Sequence, residues 1–141
     1  MHVPHNAHVL VADGAKMLFF RNEGDADHLN LQVVEAAQQA DPADRDIKTD
    51  TAGQSPGHGT MGEADFHQQN EDRFAADAAD LLNKKALAGA YEQLIIVAPA
   101  KTLGVLRKHL HGEAEKRVIG ELSKDLTGQP VDGIEKHLAA A

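Results

Sequence analysis

The sequence predicts an α/β domain on a mixed five-stranded sheet, with elements in the order β-β-β-α-β-α-β-α. Three observations carry that expectation. Apolar, β-branched runs flank the turn-forming pair Asp13-Gly14. A second uniform apolar run, Leu94 to Ala98, shows no alternation, as a strand covered on both faces requires. Around that run, apolar residues recur at helical spacing. The 141 residues match one ordinary domain, so the expectation is a single unit over 1–141.

His8-Val9-Leu10-Val11-Ala12 reads as the first strand and Lys16 to Arg21 as the second, returning through Met17, Leu18, Phe19 and Phe20. Between them Asp13-Gly14 is expected to take positive φ in a two-residue hairpin turn. After the turn formers Asn22 to Asp25, Leu29, Leu31 and Val33 alternate with Asn30 and Gln32, the period of a third strand with one wet face. A three-stranded antiparallel meander follows.

Residues 41–69 carry Gly53, Gly57, Gly59, Gly62, Pro42 and Pro56, with only Ile47, Met61 and Phe66 large and apolar. That composition predicts a long glycine-rich loop, of the kind that usually serves function. Asn70 then suits an N-cap, and Phe74, Ala78, Leu81 and Leu82 share a helical face that ends at Gly89. Leu94 to Ala98 is the central strand, stopped by Pro99. Leu103, Leu106 and Leu110 mark a second helix, in which Gly104 is expected to let another backbone approach. Arg117 to Ser123 reads as the last strand, and Pro130 opens a final helix with Val131, Ile134 and Leu138 inward. Lys124 to Thr127 reads as strand exit into a turn at Gly128. This order is the layout of ribonuclease-H-like domains and of related translation-factor domains.

Charge narrows the functional classes. The formal net charge is −8, which argues against a general nucleic-acid coat. Seven Lys/Arg stand against sixteen Asp/Glu up to residue 99, and seven against six beyond it, so the acidity is N-terminal. Lys101, Arg107, Lys108, Lys116 and Arg117 form the one candidate basic face, and they are the expected RNA-binding residues. No DNA partner is expected. The chain has no cysteine, which excludes thiol nucleophiles and cysteine-ligated metal centres. No apolar run approaches roughly 18 residues and no basic-then-apolar leader opens the chain, so a cytoplasmic protein with no membrane partner is expected.

Catalytic patterns are sparse. A two-metal nuclease needs carboxylates converging at strand ends. Asp13 ends the first strand, but Ala98-Pro99-Ala100 supplies no acid at the end of the central one. Nine histidines include His2, His5 and His8, the pair His109 and His111, and the loop residues His58 and His67; none matches a strong metal-binding template, and only His58 and His67, with Glu63, Asp65 and Glu71 nearby in sequence, could form a weak site on folding. No metal and no cofactor are expected. Gly57 to Gly62 lacks the Gly-Lys-Ser/Thr ending of a phosphate-binding loop, and Ser55 and Ser123 lack a nucleophile-elbow surround.

Several stretches together carry a resemblance: Val9 to Lys16, Glu71-Asp72-Arg73-Phe74-Ala75, Leu94 to Pro99 with Leu103 to Arg107, and Leu122 to Thr127 followed by Ile134 and His137-Leu138. In order and spacing they resemble the bacterial "host attachment protein" family, which is similar to the middle domain of archaeal and eukaryotic class-1 peptide release factors. The resemblance spans nearly the whole chain. It implies a ribonuclease-H-like layout and an intracellular protein associated with ribosome or tRNA, with any role in attachment to host cells being indirect. The release factors place a Gly-Gly-Gln tip directly before a long helix. Here the nearest match is Ala52-Gly53-Gln54-Ser55, with alanine at the first glycine position and about fifteen residues before the expected cap. Gly53, Gln54 and Ser55 are therefore the expected loop site, and Ala52 resists the positive φ that glycine takes freely.

The expectation is a release-factor-like domain without robust catalysis. Two rivals stand beside it. One is an enzyme: a metal-dependent phosphodiesterase using Asp13 and acids of the 41–69 loop, or a peptidyl-tRNA hydrolase using Gln54. The other is a protein-interaction module, including a homodimer through an exposed sheet edge.

Overall fold

The computed structural model describes residues 1–39 and 59–141. Its elements are β1 (His8–Ala12), β2 (Lys16–Asn22), β3 (Leu31–Gln38), α1 (Gly59–Leu87), β4 (Leu94–Ala98), α2 (Ala100–His109), the single turn α3 (Gly112–Glu115), β5 (Val118–Ser123) and α4 (Val131–Ala140). The sheet runs β3-β2-β1-β4-β5. β1 pairs antiparallel with β2 and β2 antiparallel with β3, while β1 and β4, and β4 and β5, are parallel. The mixed five-stranded sheet and the predicted element order are therefore both present, with α3 as an additional turn.

Uniformly apolar strands are buried here because helices cover both faces. Leu10, Ala12, Phe19, Leu94 and Ile96 pack with Ala78, Ala79 and Leu82 of α1 and with Leu103 and Leu106 of α2. Val9, Val11, Phe20, Ile95 and Val97 pack on the opposite face with Ile134 and Leu138 of α4. Successive residues of β1 and β4 thus serve alternate cores, and all ten are buried. No helix among the described residues is long and apolar enough to cross a membrane.

Four local expectations are corrected. First, α1 begins at Gly59, eleven residues before the Asn70 cap, so positions 59–69 of the expected loop are helical. Glycine punctuation misled there: Met61, Glu63, Ala64, Gln68 and Gln69 are good helix formers, and helix propagates through isolated glycines at a cost of about 1 kcal/mol each. Second, β3 runs to Gln38, well beyond Val33, and Val33 is 55% exposed. The register shifts between Phe19 and Phe20, leaving Val34 as the extra residue of a bulge. β3 also lies at the sheet edge. Third, positive φ among the described residues is confined to Asn6 and Gly89, so the Gly14-Ala15 turn does not use it. The Asp13 carboxylate closes that turn, Oδ1 accepting from the backbone N–H groups of Ala15 (2.8 Å) and Lys16 (2.7 Å). Gly14 is needed for space, since a Cβ there would meet the Glu71 side chain at 2.6–2.9 Å. Fourth, Gly104 admits no close backbone: a Cβ built on it meets nothing within 4 Å.

The end of α1 conforms to expectation. Gly89 takes φ +72°, its N–H donates to the Ala86 carbonyl (3.0 Å), and the Ala90 N–H donates to that of Lys85 (2.9 Å). That pair of bonds is a Schellman motif, and it satisfies carbonyls the helix leaves open.

Candidate functional site

Two regions gather the polar residues that the sequence singles out. The first lies at the carboxyl ends of the parallel strands, where open α/β sheets commonly place ligands. Asp13 leaves β1 there, Thr127 follows β5, and Glu71 of α1 lies against Gly14. Thr127 is buried, with its Oγ1 2.8 Å from Asp13 Oδ2 and 2.8 Å from Asp125 Oδ1. A hydroxyl has one proton, so it donates to one carboxylate at a time. Lys16 Nζ donates to the Thr127 carbonyl (3.4 Å) and brings a cation to the same turn. Asp13 thus spends Oδ1 on its own hairpin and Oδ2 on Thr127, binding β1 to the exit of β5. Among the described residues no group of three or more His, Asp or Glu is placed to hold a metal ion.

Thr127 was missed as a tether because nothing local signals it. The contact spans 114 residues, and Lys124 to Thr127 reads equally well as a plain turn.

The second region is the basic stretch. Lys101, Arg107 and Lys108 lie on α2, while Lys116 and Arg117 lie between α3 and β5. Lys101 and Lys108 are exposed. Arg107 forks onto Glu121 of β5, with Nε 3.1 Å from Oε1, and this hydrogen-bonded partner raises the guanidinium pKa above its ordinary value. Lys116 pairs with Glu113 at 2.9 Å. Hydrogen bonds from Lys116, then Arg117, hold the Glu113 carboxyl below the usual carboxylate range. Arg117 is the least available of the five: its Nη1 donates to the Tyr91 carbonyl, its Nε to the Glu113 carbonyl (3.2 Å), and its guanidinium sits 5.9 Å from the Tyr91 ring centre. An open depression of about 320 Å³ beside them is lined by Arg107, Leu110, Glu115, Val118 and Glu121, so acids and a cation share it.

Asn83, also missed, positions this region. It is a buried α1 residue whose Nδ2 donates to the His109 carbonyl (2.9 Å) and whose Oδ1 accepts from the His111 N–H (2.8 Å). The turn that presents Lys108, His109 and His111 is thereby pinned to α1. Behind it, Tyr91 donates its hydroxyl proton to the Leu82 carbonyl (2.8 Å), and burial pushes its pKa up to about 12. Gly53, Gln54 and Ser55, the expected loop site, lie outside the described residues.

Residues 6–138 match the family model for bacterial archaeo-eukaryotic release factor family 12. That description carries the release-factor kinship and makes no mention of host attachment. No curated protein matches the chain. Among solved structures, the crystal structure of the archaeal translation termination factor aRF1 is similar at 12% identity and a TM-score of 0.43, the match covering 95% of this chain and 41% of that one. The chain spans less than half the length of that factor.

Proposed function

Because the chain belongs to bacterial archaeo-eukaryotic release factor family 12, we propose that it is a release-factor-like domain that associates with ribosomal or transfer RNA and does not hydrolyse peptidyl-tRNA. The family match over nearly the whole chain is the observation that carries this reading. In it, Lys101, Lys108 and Lys116 make the phosphate contacts. Arg107 joins them by exchanging Glu121 for a phosphate, which an exposed ion pair permits at little cost. Arg117 acts by holding Tyr91 and Glu113 in place. The Ala52-Gly53-Gln54 sequence supports the noncatalytic part, since alanine stands where a release-type loop has glycine. Any role in host attachment is then an indirect one.

Sedimentation with ribosomes over a salt series tests the proposal. Co-migration at low ionic strength that fades steeply with salt is expected, because phosphate contacts release counterions. Lys101→Glu with Lys108→Glu should abolish it. Absence of co-migration even at low ionic strength removes the reading. Release of peptide from peptidyl-tRNA that disappears in Gln54→Ala removes its noncatalytic half.

A further inference from the structure

We infer that two copies of this chain associate through β3, whose outer edge pairs with no other strand among the described residues and is built to pair antiparallel with itself about a two-fold axis. Edge strands are usually blunted by lysine, proline or an inward charge. Leu31-Gln-Val-Val-Glu-Ala-Ala-Gln38 has neither lysine nor proline. Its one charge, Glu35, is drawn back to Lys85 of α1 at 3.1 Å. Val33 and Val34 are 55% and 49% exposed, two of the four large apolar residues left on the surface among the described residues.

The backbone bonds show which groups of β3 turn away from β2. In an antiparallel ladder, alternate residues turn both N–H and C=O toward the neighbouring strand, and those between turn both away. The Glu23 N–H donates to Asn30 (2.8 Å) and the Gln39 N–H donates to Ala15 (2.7 Å), which anchors the count at both ends of β3. With Val34 as the extra bulge residue, Gln32, Glu35 and Ala37 face β2, while Leu31, Val33, Ala36 and Gln38 face outward. The Leu31 N–H confirms the count: it donates away from β2, to Glu135 Oε2 of α4 at 2.8 Å.

This outward set is symmetric about the Val34-Glu35 peptide. A second copy related by a two-fold axis there sets Val33 opposite its Ala36, each with N–H and C=O turned to the other chain, and Leu31 opposite its Gln38. The bulge makes this possible by shifting the outward set to even positions halfway along the strand. No unpaired like charges meet, since each Glu35 has its own Lys85. The Glu135 cap occupies the Leu31 N–H but leaves the Leu31 carbonyl to accept from Gln38 of the second copy. The contact is isologous and closes at two copies, joining the five-stranded sheets edge to edge.

The test is sedimentation equilibrium of the full chain over a range of protein and salt concentrations. A mass rising from one chain to two is expected, and added salt should strengthen association because both copies carry a formal −8. That is opposite to the salt response of phosphate binding, so this inference and the proposed function fail separately. Ala36→Pro removes only an outward N–H, which an edge strand tolerates, and should weaken association at least about tenfold while the melting curve remains cooperative. Val33→Lys provides a second variant with the same expected loss. The register has its own readout in a chain without cysteine: mixed Gln32→Cys and Ala37→Cys proteins should oxidise preferentially to the mixed disulfide, since these positions oppose each other across the axis. A one-chain mass at every concentration and salt, a dimer unchanged by both variants, or absence of the mixed disulfide would overturn the inference.

Discussion

Replacing Asn83 by alanine should cost far more than an average polar-to-alanine change. The amide makes two hydrogen bonds across 26 and 28 residues, to the His109 carbonyl and the His111 N–H, and is itself buried. Losing them removes about 1 kcal/mol each, and part of the desolvation penalty of the two stranded backbone groups adds to that, for a total of about 2–4 kcal/mol. For a chain this size roughly 3 °C accompanies each kcal/mol, so thermal melting followed by circular dichroism should show a fall of about 6–12 °C. Asn83→Asp separates the two bonds. It keeps the acceptor for His111 but points a carboxylate at the His109 carbonyl, so it should be nearly as damaging at neutral pH. It should recover on acidification, when the protonated carboxyl again donates. A midpoint within about 2 °C of the parent for Asn83→Ala would refute the reasoning, because α1 would then not be what holds the α2–α3 turn.

Thr127→Val keeps shape and removes the hydroxyl between Asp13 and Asp125, so a loss of about 1–2 kcal/mol is expected, with Thr127→Ser retaining most of it, measured by urea denaturation. His8 is buried against Phe19 and Tyr91, and desolvation lowers its pKa although its Nδ1 hydrogen bond to the Asn6 carbonyl opposes the shift. Its folded pKa lies below the ordinary value of about 6.5, so the unfolded chain takes up a proton first as pH falls. Its contribution is therefore intact above that pH and declines below it until the folded pKa is passed. His8→Phe should melt with a shallower pH slope below about 6.5 than the parent, and identical slopes would contradict this. Gly89→Ala and Gly104→Ala should have opposite signs, about 1 kcal/mol down at the positive-φ cap and up to about 1 kcal/mol up in the open interior of α2.

Short-range physics made most of the fold legible. Val9 to Ala12 and Leu94 to Ala98 are apolar at every position because both faces of the central strands are covered, and such runs can be read without knowing what covers them. Gly89 announces its cap in the same way, since few other residues hold φ +72° without strain. Helix content between 59 and 69 is hidden in the sequence because propensity and glycine punctuation point in opposite directions there, and propagation from the rest of α1 favours the helix.

The chain by itself determined the strand and helix order, the candidate cations and the turn at Asp13. Only the tertiary structure decided what those groups do. Arg107 faces Glu121, Arg117 lies under Tyr91, and Thr127 reaches Asp13 because strand order and helix placement bring together side chains up to 114 residues apart. Likewise, Val33 has the alternation of a half-buried strand, yet its exposure depends on β3 being last in the sheet. Periodicity is a property of neighbours along the backbone, whereas partners and edges are properties of neighbours in space.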